Sequence, residues 1–144
     1  MPSYAYSATI AAPAARVWEV LAAPEKWPEL TPAMTSVRGL AGPDLSLGAR
    51  FAVRQPRLRP AVWQVTALDE GTSFTWESRA PGAVSRAGHV VEPEGTGTRL
   101  TLTLDQSGVL SWPVGFLLGS TIRRYLALEG EGIKRRTEQP AAQE

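Results

Sequence analysis

The chain alternates apolar and polar positions at its start and then changes to a helical spacing. From Ser3 to Ala11, large or apolar residues occupy every second position, which predicts a half-buried strand. After Pro13, apolar residues recur every three to four positions through Leu21, which predicts a short helix with a proline in its first turn. The residue before a proline avoids the helical region, so this helix ends before Pro24. One more helical turn is expected within 24–30.

Alternating runs that predict five or six further strands follow, and turn signals rich in glycine, proline and aspartate separate them. In the third run, Trp63, Val65 and Ala67 share one face. The regular spacing of the turns is typical of an antiparallel meander. The predicted strands are Met34–Leu40, Gly48–Gln55, Ala61–Leu68, Ser73–Arg79, Ala83–Val91 and Thr98–Leu104.

The last part of the chain returns to helical spacing, from about Pro113 to Arg136. Basic residues take the polar side and cluster at the end, which suits the negative pole of a helix. The polar segment 137–144 is predicted to be a disordered tail outside a single domain of residues 1–136. The apolar residues at helical spacing are Phe116, Leu118, Ile122, Tyr125, Leu126 and Ile133.

One long amphipathic helix and one antiparallel sheet have a simple packing solution, in which the sheet curls around the helix. The two short helices after the first strand close one end. A sheet wrapped around one helix seldom fills completely, so an internal cavity is expected. The predicted class is α+β.

Composition narrows the classes of function. The 144 residues fit one domain, and 15 Lys and Arg against 14 Asp and Glu argue against nucleic acid as the main partner. The absence of cysteine excludes disulfides, a thiolate nucleophile and cysteine metal sites. No signal peptide is recognised, and the apolar run Val109–Leu118 is too short to span a bilayer, so we expect a cytoplasmic protein.

Four segments carry a resemblance to a known family. They are SATIAAPAARVWEVLAAPEKWPEL, WQVTALDEGTSFTWES, AGHVVEPEGTGTRLTLTLDQSG and RRYLALEGEGIKRR. Over about residues 3–136 the chain resembles the START/Bet v 1-like helix-grip superfamily, SRPBCC, and within it the bacterial polyketide cyclase/dehydrase-type branch. The resemblance implies a seven-stranded antiparallel sheet gripping the C-terminal helix, with an elongated pocket for a hydrophobic ligand. It supplies no catalytic motif, since members share no universal catalytic set.

His89 is the only histidine and shares a predicted inward face with Ala87 and Val91. It is a candidate general acid/base, or a hydrogen-bond donor to a ligand carbonyl. The structural alternative is a buried histidine bonded to a backbone carbonyl or a tyrosine. No second histidine, cysteine or close carboxylate pair accompanies it, so no metal is predicted, and no cofactor is expected.

The five tryptophans suggest aromatic walls. Trp63 and Trp76 lie on predicted inward faces of adjacent strands, either as walls for a ring-containing ligand or as core residues. Trp18 is a predicted core residue of the first helix. By the resemblance, Trp27 and Trp112 fall near the pocket entrance and are candidate gates.

Arginines surround one connection between strands. Arg54, Arg57 and Arg59 form either a basic lip that attracts an anionic head group or a solvated loop. The orientation of Arg38 and Arg50 depends on strand register, because a slip of one residue reverses the face.

The leading hypothesis is a protein that binds a small hydrophobic molecule, aromatic or polycyclic, in a cavity between the sheet and the C-terminal helix. One alternative is a polyketide cyclase/dehydratase-type enzyme with His89 as acid/base, and another is a protein-interaction module with a filled core. A monomer and a homodimer both remain open. The candidate ligand-binding residues are Trp27, Phe51, Val53, Trp63, Trp76, His89, Leu102, Trp112, Phe116 and Tyr125.

Overall fold

Seven antiparallel strands and one long helix make up most of residues 3–139, the part of the chain that this computed structural model describes. The strands are β1 (Ser3–Ile10), β2 (Ser36–Gly39), β3 (Arg50–Arg54), β4 (Ala61–Asp69), β5 (Ser73–Ala80), β6 (Ala83–Glu94) and β7 (Gly97–Ser107). The helices are α1 (Ala14–Leu21), a 3₁₀ helix (Pro24–Glu29) and α2 (Ser111–Glu138). The predicted helix-grip α+β fold, with two short helices after the first strand, is confirmed.

The sheet is a meander whose first strand returns to its far edge. The strand order is β1-β7-β6-β5-β4-β3-β2, so β2 to β7 pair in sequence and β1 pairs with β7. Tyr4 lies opposite Leu104, and His89 lies opposite both Phe74 and Leu102. This register places alternate residues of β5, β6 and β7 on one face, which is the face that α2 covers.

A β-bulge in β4 corrects the predicted face of that strand. Val65 is buried and pairs with Trp76, but Ala67 is exposed. The register shifts between Val65 and Ala67, and Leu68 then pairs with Phe74 and packs against the core. The extra residue of a bulge reverses the alternation beyond it.

Helix α2 approaches its neighbours closely because two of its positions lack a side chain. A Cβ on Gly130 would lie 2.2 Å from the Tyr6 ring, and a Cβ on Gly132 would lie 2.4 Å from the Leu30 carbonyl oxygen. Burial raises the pKa of Tyr6, and the nearby charge of Glu131 raises it further. Gly130 therefore lets the helix approach β1, and Gly132 lets it approach the segment after the 3₁₀ helix.

Helix α2 is longer than predicted by two residues at each end. It begins at Ser111, and it continues through Thr137, whose Oγ1 donates to the Ile133 carbonyl. Of the predicted tail, residues 140–144 lie outside the described residues. None of the helices in residues 3–139 is long and apolar enough to cross a membrane.

The segment after β1 closes one end of the sheet. Helix α1 buries Val17, Trp18 and Leu21. Trp27, on the 3₁₀ helix, is 1% exposed, and its Nε1 donates to the Leu21 carbonyl at 3.2 Å. This end of the fold is solid core, so any internal space lies further along the sheet.

Candidate functional site

A cavity of about 300 Å³ lies between the concave face of the sheet and α2. Small-molecule sites range from about 300 to 1,000 Å³, so the volume suits a compact ligand. Its wall is mostly apolar. The sheet contributes Val53, Ala61, Trp63, Trp76, Ala87, Leu102 and Leu104 among others, and α2 contributes Val114, Leu118, Ile122, Tyr125, Leu126 and Glu129.

Two tryptophans form an aromatic wall of the cavity. The ring centroids of Trp63 and Trp76 are 5.8 Å apart with 36° between the ring planes. Trp76 is 3% exposed and is backed by the rings of Trp27 and Phe51, at 5.3 and 5.7 Å. A wall supported in this way offers a preformed aromatic surface to a flat apolar molecule.

His89 points into the fold and lines the cavity. It is 3% exposed, and its ring stacks on Phe74 with centroids 4.0 Å apart and 7° between the planes. Its Nδ1 lies 3.2 Å from the Phe74 carbonyl oxygen. A carbonyl only accepts, so Nδ1 carries the proton and Nε2 is left for another partner.

That partner is Glu129 on α2, which sequence reasoning missed. Its Oε1 lies 3.7 Å from His89 Nε2, and the residue is 6% exposed. At 3.7 Å the two groups are further apart than a hydrogen bond, but a carboxylate at this position favours a positive charge on the imidazole when the ring takes up a proton. The cavity thus contains a buried imidazole that faces a buried carboxylate across the gap between sheet and helix.

A second polar row crosses the sheet two rows away from His89. Ser78 pairs with Ser85, and Ser85 pairs with Gln106. All three line the cavity. Gln106 is 6% exposed, its Nε2 donates to Ser85 Oγ at 3.4 Å, and its Oε1 has no hydrogen-bond partner. Strand rise separates this row from the His89 row by about 13 Å along the strand.

The cavity reaches solvent beside the β3–β4 loop and the β5–β6 turn. The lining residues Arg59 and Ala80 are exposed at these two positions. The Tyr125 hydroxyl donates to the Pro56 carbonyl and ties the loop to α2. The Leu110 N–H donates to the Gly82 carbonyl at 2.8 Å and ties the turn to the start of α2. These three segments together form the mouth.

The structure brings six of the ten predicted ligand-binding residues to the cavity wall. Two others lie behind it, because Phe51 and Trp27 are fully buried against Trp76 and do not line the cavity. Trp27 is therefore a support for the wall and not a gate. The six are Val53, Trp63, Trp76, His89, Leu102 and Tyr125.

The structure places Trp112 and Phe116 on the outer surface of α2 and not in the cavity wall. They are 64% and 90% exposed and do not line the cavity. Phe116 precedes Ile122 by six residues, which at 100° per residue turns it about 120° away from the cavity face. Leu118 and Val114 occupy that face instead.

A signal for Glu129 exists in the sequence. It lies three residues after Leu126 and four before Ile133, so it interrupts the buried stripe of α2 with a carboxylate. Gln106 likewise continues the inward alternation of Leu102 and Leu104. A polar residue at a predicted core position marks a candidate site residue.

The arginines separate into two groups. Arg59 is exposed and lines the cavity mouth, and Arg57 is exposed on the same loop. Arg38, Arg50 and Arg54 are exposed and lie outside the cavity wall.

Within residues 3–139, no group of three or more His, Cys, Asp or Glu side chains is placed to hold a metal ion. The cavity also argues against the alternative of a filled core.

Comparison with known proteins gives a family for the whole described chain. A family model described as "Polyketide cyclase / dehydrase and lipid transport" matches residues 1–138. No curated protein matches.

Solved structures share the fold at low identity. An aromatase/cyclase from a Streptomyces species is 19% identical with a TM-score of 0.78, and the match covers 98% of this chain and 97% of that one. A major latex-like protein from Panax ginseng is 16% identical with a TM-score of 0.76, covering 96% and 98%. A hypothetical protein from Helicobacter pylori is 12% identical with a TM-score of 0.83, covering 94% and 88%. At these identities the likeness concerns the fold alone.

Proposed function

Since the chain belongs to the polyketide cyclase / dehydrase and lipid transport family, within the SRPBCC superfamily, we propose that it binds a small hydrophobic molecule with at least one ring in the cavity between sheet and helix. The observation that carries the proposal is the composition of the cavity wall. A supported tryptophan pair and aliphatic side chains line the cavity together with the buried His89–Glu129 pair.

Each part of the wall has a separate role in this proposal. Apolar contact supplies most of the affinity, at about 25 cal/mol per Å² before the costs of binding. Trp63 and Trp76 favour flat rings over flexible chains, because ring faces stack on them at little cost in conformational entropy. The His89–Glu129 pair orients a polar group of the ligand, since a buried carbonyl or hydroxyl needs a partner.

The test is a thermal-shift screen of the purified chain with matched polycyclic compounds, with and without a carbonyl or hydroxyl group. We expect ring compounds to raise the unfolding midpoint, and the polar member of each pair to raise it more. Native mass spectrometry of freshly purified protein complements the screen by detecting a ligand that copurifies. A screen in which no ring compound raises the midpoint contradicts the proposal.

A cyclase/dehydratase activity is the second candidate, and the His89–Glu129 pair is the observation that favours it. The Nδ1–H of His89 donates a hydrogen bond to the Phe74 carbonyl oxygen, so Nε2 of the neutral ring is available as a base. In an aldol closure, Nε2 removes a proton from a methylene between two carbonyls, and the resulting carbanion attacks a third carbonyl. The imidazolium returns the proton to the new alkoxide. In the later dehydration, Nε2 removes the remaining proton of the former methylene, the C=C bond forms, and the hydroxyl leaves with that proton as water. Glu129 stabilises the imidazolium in between.

Turnover of a poly-β-ketone thioester tests this candidate. We expect His89→Gln to reduce kcat at least a hundredfold, and Glu129→Gln to reduce it less, because the base remains. Ligand affinity measured with an unreactive ring compound serves as the control, since both variants keep the aromatic wall. Turnover that is unchanged in His89→Gln removes His89 from the chemistry and leaves the binding proposal intact.

A further inference from the structure

The outer face of the first turns of α2, together with the two residues before the helix, exposes large apolar side chains that do not line the cavity. Val109, Trp112, Phe116 and Leu117 are 84%, 64%, 90% and 74% exposed, and Leu110 is 47% exposed. We call these five residues the apolar tip. Trp112 and Phe116 are one helical turn apart, so they adjoin on one surface.

The apolar tip is not a by-product of core packing. The inward side of the same helix carries a separate set of apolar residues, Val114, Leu118 and Ile122, which line the cavity. Soluble monomers rarely expose contiguous large apolar patches, and such patches mark surfaces that bind another phase or molecule. A tryptophan and a phenylalanine in this setting suit a polar–apolar boundary.

The segments around the tip carry arginines and no acidic residue, and the exposed Asp105 immediately precedes one of them. Segments 55–60, 79–85 and 106–128 contain no Asp or Glu. Glu77, the nearest acidic residue before the second segment, is engaged by Arg79 and Arg86 at 3.4 and 2.9 Å. The arginines of the three segments are Arg57, Arg59, Arg79, Arg123 and Arg124, and all five are exposed.

The tip and the arginines lie at the mouth of the cavity. Leu110 contacts the β5–β6 turn through the Gly82 carbonyl, and Tyr125 holds the β3–β4 loop that carries Arg57 and Arg59. Arg124 follows Leu117 by seven residues, a rise of about 10 Å along the helix. Arg124, and the loop that Tyr125 holds beside it, therefore lie behind the apolar side chains. Their charges can meet head groups while the tip enters the layer beneath.

We propose that this surface docks onto a lipid bilayer that carries anionic lipids, with the apolar tip inserted and the arginines on the head groups. Charge complementarity favours this occupant over a second copy of the chain. In a two-fold contact the same patch meets itself, which brings the five arginines face to face. The proposal does not depend on the identity of the cavity ligand.

Vesicle flotation of the full chain tests the proposal, using phosphatidylcholine vesicles with and without phosphatidylglycerol. We expect binding that is stronger with phosphatidylglycerol and weakened by salt. The triple variant Trp112→Ser/Phe116→Ser/Leu117→Ser is expected to bind at least tenfold more weakly to both vesicles. Leu47→Ser is the matched control. Leu47 is 68% exposed and lies before β3, at the opposite end of that strand from the loop 55–60.

A charge variant tests the lipid selectivity separately. Arg57→Gln/Arg124→Gln is expected to lose about fivefold per arginine on anionic vesicles, and nothing on neutral ones. Arg123 is left in place because its guanidinium lies 5.1 Å from the Tyr4 ring centroid. Arg50→Gln, at the far end of β3, is the control.

Three results would overturn the proposal. They are no vesicle binding by the wild-type chain, binding that the triple variant retains in full, and equal binding to both vesicles that the arginine variant leaves unchanged. A solution dimer that the triple variant dissociates, together with no vesicle binding, would assign the surface to self-association instead.

Discussion

Filling the cavity is expected to stabilise the protein and abolish ligand binding, and Ala87→Leu is the substitution that tests this. Ala87 lies on β6 between Trp76 and Leu104 in the sheet, is 9% exposed and lines the cavity. Its side chain faces about 300 Å³ of free space. A leucine there adds three carbons to that space without replacing any packed group.

The magnitude follows from burial and entropy. Three buried carbons contribute about 2.4 kcal/mol at about 0.8 kcal/mol per CH₂. Ordering the leucine side chain costs about 0.5–1 kcal/mol, which leaves about 1.5 kcal/mol of stabilisation. An unfolding entropy of about 2.1 cal/mol/K per residue amounts to about 0.3 kcal/mol/K for 144 residues, so the midpoint rises by about 5 °C.

Calorimetric unfolding of the ligand-free chain measures the midpoint, and titration with a ring compound from the screen measures binding. Ala67→Leu on the exposed side of β4 is the matched control, which is expected to change neither quantity appreciably. A loss of about 1–3 kcal/mol of stability in Ala87→Leu would indicate overpacking and would refute the claim that this side chain faces free space. A stabilised variant that still binds at wild-type affinity would refute the location of the site.

Three further predictions concern the buried pair, the end of α2 and its seat on the sheet. The double variant His89→Phe/Glu129→Leu is expected to have a free energy of unfolding in urea no more than about 1 kcal/mol below that of wild type. His89→Phe alone is expected to lower it by about 3 kcal/mol, because a buried carboxylate is left unpaired. Equal losses in the two variants would show that the pair has a structural role. Hydrogen bonds from the Ala11 N–H and from Lys134 lower the pKa of Glu138, so this carboxylate stabilises the fold above its unfolded pKa, and that contribution is lost as pH falls through its folded pKa. Urea titrations should therefore show Glu138→Gln less stable than wild type near neutral pH and equal to it in acid, and a gap that persists in acid would contradict the linkage. Gly130→Ala places a Cβ against the Tyr6 ring and is expected to cost about 1–3 kcal/mol in the same assay, with partial recovery on adding Tyr6→Ala; no cost would show that the helix shifts freely.

Sequence periodicity was sufficient for the architecture because each element carries its own pattern. The alternation in β7 and the spacing in α2 are local properties of the chain, and the observed strands all fall within or close to the predicted runs. The inward direction of His89 followed from alternation alone, since β6 has no bulge before it in the pairing with β5.

The errors in the site came from properties that periodicity does not contain. Ala67 was assigned to the wrong face because a bulge depends on how β4 meets β5, which is a tertiary property. Phe116 was grouped with the apolar stripe by hydrophobicity, although its angle on the helix places it outside. Glu129 was missed because its partner lies 40 positions earlier in the chain, and only the folded structure brings the two together.

The most direct test of the central claim is an amide NMR titration of the chain with a ring compound that raises the unfolding midpoint. The account predicts shift changes centred on cavity-lining positions of β5, β6, β7 and the inward side of α2, including Trp76, His89 and Ile122. Changes confined to the exposed apolar tip, with His89 and its strand neighbours unmoved, would contradict it.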